Sequence, residues 1–171
     1  DVTLVENVFP ETEISMSAWG STLMMVYVRP QADSPEFTEI AWTRFDGGAW
    51  SAPEPIPASN SSSTGTPSVA FDGQGNALTV WRQFRSEPAA GATVSEIAGF
   101  VEIGWSLWNS GTGRWNSGRL LTDNRAFDGD PELCGPLPNG DLLLVWREQA
   151  AENNLLVGGT LKSWRWDAAA G

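Results

Sequence analysis

Three arginines, Arg29, Arg82 and Arg147, each close an apolar stretch that ends in Val-Arg or Val-Trp-Arg. A guanidinium so placed can grip a carboxylate or sulfate through two parallel hydrogen bonds. They stand out because the chain has nine arginines and one lysine against 21 acids. Among its ten tryptophans, Trp105 and Trp164 lie where an indole face could stack on a sugar ring. The candidate ligand-binding set is therefore Arg29, Arg82, Arg147, Trp105 and Trp164. The plainer reading of the same residues is structural: arginines paired with acids such as Glu87, Asp130 and Glu148, and indoles packed between strands.

Catalytic chemistry finds little to work with. The chain has no histidine, which excludes imidazole acid–base catalysis and His-ligated zinc. The single cysteine, Cys134, excludes an internal disulfide and any multi-cysteine metal site, and it reads as a small core residue. The only tyrosine, Tyr27, lies inside Met24-Met25-Val26-Tyr27-Val28, the pattern of a packed strand. The acidic run Asp128-Gly129-Asp130-Pro131-Glu132 lacks the alternation of a calcium loop. No catalytic residue, metal ligand or cofactor is expected, although so many acids leave a carboxylate pair for glycoside hydrolysis open.

The 171 residues suffice for one domain, and the formal charge of −11 with pI near 4.3 argues against nucleic-acid or anionic-membrane partners. Apolar stretches all stay under ten residues, so neither a membrane span nor a signal peptide is expected. A chain that begins at Asp1 reads as processed or cut from a longer one. The acidic charge, single lysine and single cysteine suit a secreted, extracellular or periplasmic, bacterial protein.

The elements that must position these residues come from a repeat. Pro67–Arg82 and Pro131–Arg147 share an apolar run, a glycine turn and a second run ending Val-Trp-Arg, and Ser15–Arg29 is a looser copy. Behind each follows Ile40-Ala-Trp42…Phe45-Asp46-Gly47-Gly48-Ala49-Trp50, Ile103-Gly-Trp105…Trp108-Asn109…Trp115, or Leu161…Trp166-Asp167. Apolar residues alternate and glycine marks the turns, as in half-buried strands joined by hairpins. No long window has a helical period. The chain reads as all-β: strands near 13–19, 22–29, 37–45 and 49–56, then 67–72, 76–83, 98–108 and 114–121, then 131–135, 141–147 and 158–167. Such spacing suits four-stranded antiparallel blades of a β-propeller. The blades would span about 12–65, 66–129 and 130–171, with a stray strand from Val2 to Phe9, within residues 1–10, completing the last.

Three blades are fewer than the ~4–8 that close a ring. The propeller is therefore incomplete, and another chain or further blades must cover apolar end faces; two such chains would give a two-fold ring. The turns at Phe45–Trp50 and Trp108–Trp115 resemble degenerate Asp boxes of sialidase-like bacterial propellers. That resemblance implies the blade fold, with the box as a folding device, and a channel-mouth face where ligands sit. A retaining sialidase-type mechanism would need a tyrosine nucleophile. Long connections at 30–36, 83–96 and 148–158 fall on one end. The resulting expectation is a non-catalytic binding or scaffold module recognising a glycan or protein through that loop face. The alternatives are a fragment of a sialidase-like hydrolase and a purely structural assembly module.

Overall fold

Short apolar runs separated by glycine and Asx turns have one economical outcome, antiparallel pairing of each run with the next. The computed structural model describes residues 3–6, 8, 12–61, 64–150 and 158–170. Among them the first sheet is β1 (Ile14–Trp19), β2 (Thr22–Pro30), β3 (Thr38–Phe45) and β4 (Glu54–Ser61), in that order. The second follows with β5 (Gly65–Phe71), β6 (Ala77–Phe84), β7 (Val101–Asn109), β8 (Arg114–Trp115) and β9 (Arg119–Leu120). Both β8 and β9 pair with β7, so the expected fourth strand is broken in two. The third is β10 (Ala126–Cys134), β11 (Leu142–Ala150) and β12 (Thr160–Trp166). All pairings are antiparallel.

The second sheet lies between the other two. Met24, Val26, Val28, Ile40 and Ile56 of the first sheet pack on Val69, Phe71, Ala77, Trp81 and Trp108 of the second. Its opposite face, with Leu78, Val80, Ile103 and Leu107, packs on Leu133, Leu142, Leu144 and Trp166 of the third. This explains why β6 and β7 are buried on both sides while β1 and β12 alternate. The strands β1, β5 and β10 lie side by side along one margin. Hydroxyls stitch them together: Ser15 and Ser17 Oγ accept the Val69 and Phe71 N–H at 3.1 and 3.2 Å, and Ser68 Oγ accepts the Leu133 N–H at 3.0 Å. These bonds satisfy strand-edge donors that would otherwise stay open.

Each sheet's third strand ends on an aromatic residue and an Asx turn. Asp46 Oδ1 accepts the Gly48 and Ala49 N–H groups at 3.0 Å each, while Gly47 takes φ +93°. Asn109 Oδ1 takes the Thr112 N–H at 2.9 Å, and Asp167 Oδ1 takes those of Ala169 and Ala170. The Ala49 and Gly48 N–H groups also hold the Asp46 carboxyl below its ordinary range. Asp46→Ala is expected to lower Tm by roughly 2–4 °C and Asp46→Asn to restore most of that, measured by circular dichroism. Equal Tm values for all three would remove the turn's contribution.

Several expectations need correction. Cys134, expected as a small core residue, is exposed at the end of β10. Of the expected closing strand Val2–Phe9, residues 3–6 and 8 are irregular, and Val5 packs with Met25, Tyr27, Ala41 and Trp50 on the first sheet. Positions 2, 7 and 9 lie outside the described residues. The apolar far side of the first sheet draws Val5 there. The third sheet accordingly has three strands among the described residues. Last, the connection from β6 to β7 holds a helix, α1 (Val94–Ala98), closed by a capping box between Thr93 and Glu96.

Candidate functional site

Register decides which side chains share a position. In β2, β6 and β11, Val26, Val80 and Val145 face Ser15, Ser68 and Glu132 respectively. One residue on, the third-strand neighbours of Tyr27, Trp81 and Trp146 are Ala41, Gly104 and Lys162. The next position holds Val28, Arg82 and Arg147, opposite Ile40, Ile103 and Leu161. Arg29 therefore lies one place later and, by strand alternation, on the opposite face. The expected ring of three equivalent arginines is a pair, with Val28 in the third place.

Two of the three arginines have charged partners. Arg29 Nε bonds Glu39 Oε1 across the sheet at 2.8 Å. Arg147 pairs with Asp130 at 3.2 Å, its guanidinium stacked 5.1 Å over the Phe127 ring. Arg82 lies against Gly65, where a Cβ would come within 3.0 Å of its Nη2, and it has no ion pair among the described residues. Trp105 and Trp164 meet in a cluster of three indoles with Trp166, centroids 5.8 to 6.2 Å apart, between the second and third sheets. Their rings face one another at tilted and edge-on angles, the packing that aromatic quadrupoles favour.

A second cluster escaped the sequence reading. Glu102 of β7 and Asp128 of β10 are both fully buried. Glu102 Oε1 accepts the Asn124 N–H at 2.8 Å, and the Asn124 amide bonds Asp128 Oδ2 at 2.9 Å. Asp128 Oδ1 takes the Trp146 indole N–H at 2.8 Å. Arg85 Nη1 bonds the Asn124 carbonyl at 2.6 Å and lies 3.9 Å from Glu102 and 3.5 Å from Asp123. Burial above all, with the Asp128 charge beside it, pushes Glu102 up to about 7 against the bonds from Thr122 and Asn124. Sealed from solvent, this pair cannot reach a substrate; it ties the 121–125 connection to both sheets. The only signal for it was an acid inside the apolar run Val101-Glu102-Ile103.

Tyr27 is 1% exposed, and burial pushes its phenol above the ordinary range against the pull of Arg29. Asp130 and Glu132 share a shallow depression of about 290 Å³ with Glu13, Thr66 and two prolines. Among the described residues no acid, cysteine and histidine grouping has metal-site geometry, and no helix is long and apolar enough to cross a membrane.

Besides Val94 of α1, 72% exposed, open apolar side chains stand on the two outer faces. On the first sheet Ile14 and Met16 are 61% and 58% exposed, beside Ala18 and Leu23. On the third, Leu161 is 76% exposed, and alternation places it with Leu143, Val145 and the exposed Cys134. Exposed apolar side chains are what contacts between proteins cover.

No family model matches the chain, and no curated protein matches it. One similar solved structure is the crystal structure of a protein of unknown function from Dyadobacter fermentans DSM 18053, at 14% identity and a TM-score of 0.49. The likeness covers 85% of this chain and 39% of that one, so this chain spans well under half of its length.

Proposed function

We propose that the chain is a non-catalytic binding or scaffold module: three blades of an incomplete, sialidase-like β-propeller that works through its surfaces, outside the cytoplasm. The observation that carries this reading is an asymmetry of burial. The middle sheet is sealed on both faces, while Ile14, Met16 and Leu161 stand open on the outer faces of its neighbours. The ionisable groups also support it, because Arg29, Arg147, Glu102 and Asp128 are spent on internal bonds. A second reading, glycan or protein recognition at the loop end, is favoured by Arg82, the one member of the arginine set without an ion pair among the described residues.

Two measurements test the module reading. The chain should leave a fluorogenic sialoside intact; turnover lost on Arg82→Ala would establish the hydrolase instead. Cys134, on the outer face of the third sheet, should react with a thiol reagent at nanomolar chain concentration within about tenfold of its rate in urea. Protection beyond a hundredfold in that dilute state would mean the chain covers its own outer face.

A further inference from the structure

The two internal interfaces obey one rule, and the chain carries the unused half of that rule at each end. In the first interface a side chain at the position facing Val26, Ser15, accepts a backbone N–H from β5, that of Val69. In the second interface the side chain facing Val80, Ser68, accepts the N–H of Leu133 from β10. The third member of the series faces Val145 and is Glu132, an exposed carboxylate on the open side of the third sheet. At the opposite end, Val69 and Leu133 correspond in register to Met16. The Val28 N–H bonds the Glu13 carbonyl. Antiparallel alternation from that pair leaves the Met16 N–H on the free edge of β1.

The apolar surfaces continue the same series. Forward faces carry Val26 and Ile40, then Val80 and Ile103, then Val145 and Leu161. Rearward faces carry Phe71 and Trp81, then Leu142 and Leu144, then, on the first sheet, Met16 and Tyr27. Val5 covers Tyr27 on the β2–β3 half of that last face, and the β1 half stays open. The internal interfaces are joined at the equivalent margin, where β1, β5 and β10 run together.

Resting on the reading of the sheets as successive units of one array, we propose that the outer face of the third sheet docks on the outer face of the first sheet of a second copy, head to tail, Glu132 of one copy accepting the Met16 N–H of the other. Both halves of the contact sit on every copy, so two copies closing on each other make it twice.

Light scattering across about 1–100 μM chain should show a species of twice the chain mass that dissociates on dilution. Met16→Glu and Leu161→Lys change exposed side chains, and each alone should give a monomer, whereas their equimolar mixture should recover a heterodimer through the one intact pair of faces. Glu132→Ala should weaken association roughly tenfold and Glu132→Gln less, since the amide oxygen still accepts. A folded wild-type monomer at every concentration overturns the second-copy contact and leaves the module reading standing if Cys134 is open. Dissociation by Met16→Glu with Leu161→Lys still dimeric also overturns it, because that pattern belongs to a face pairing with itself.

Discussion

Raising the pH from about 5 to about 8 is expected to weaken the fold, and Glu102→Gln to abolish that weakening. Glu102 titrates near 7 in the folded chain against 4.5 for an ordinary glutamate, mainly because burial disfavours its charge. Between those values the unfolded chain has released a proton that the folded chain still holds, so stability falls as pH rises through this window. The full shift is worth at most about 3 kcal/mol. The window is unusually clean, because the chain has no histidine and Asp46, Glu96 and Asp141 are all shifted downward. Burial opposes the Asp141 charge, but the Ala168 N–H, Arg165 and Asn139 outweigh it, so its contribution is lost only in acid. The Glu102→Gln chain should therefore be flat from pH 5 to 8, and more stable than wild type at the upper end. Urea midpoints followed by circular dichroism read this directly. A wild-type midpoint independent of pH would reject Glu102 as the group that titrates in this window.

The second large effect concerns Trp81. Its indole is fully buried between the first two sheets, its N–H bonded to Gln83 Oε1 at 2.6 Å. The ring lies over Gly104, its partner across β7, where a Cβ would come 2.6 Å from Nε1 and 2.7 Å from Cε2. Trp81→Ala should cost about 3–5 kcal/mol, lost burial plus the cavity left behind. Gly104→Ala should cost about 1–3 kcal/mol by driving the ring off its rotamer. Once the indole is gone the added methyl has room, so the double variant should be less destabilised than the sum by at least ~1 kcal/mol. Additive losses would show that the two positions do not share this contact.

Much of the architecture was legible because strand and turn chemistry is local. Gly47 and Asn109 mark hairpins by themselves, and alternation in Ile40-Ala41-Trp42 places a face without knowledge of its partner. What failed depended on partners far along the chain. Similarity aligned Arg29 with Arg82, but register is set across strands, and Val28 opposite Ile40 is the true counterpart of Arg82 opposite Ile103. Glu102 gave no hint of Asp128, 26 residues later, since only the docking of two sheets brings them together. Helix α1 is too short for periodicity, although Thr93 and Glu96 stand at capping-box spacing. Trp105 and Trp164 were readable as aromatic, not as each other's neighbours.

The serine bonds between sheets also bear on how the chain acquires its fold. Ser15 reaches Val69 and Ser68 reaches Leu133 across 54 and 65 residues, whereas β1 meets β2 through the two-residue turn at Gly20 and Ser21. Hairpins of that kind close in microseconds, while contacts this remote wait on slower loop closure. Each sheet is a contiguous stretch, so on the ribosome the first can assemble before the second is synthesised. Its forward face of Met24, Val26 and Ile40 is then ready to receive β5 as that strand emerges, and growth proceeds in the order of translation.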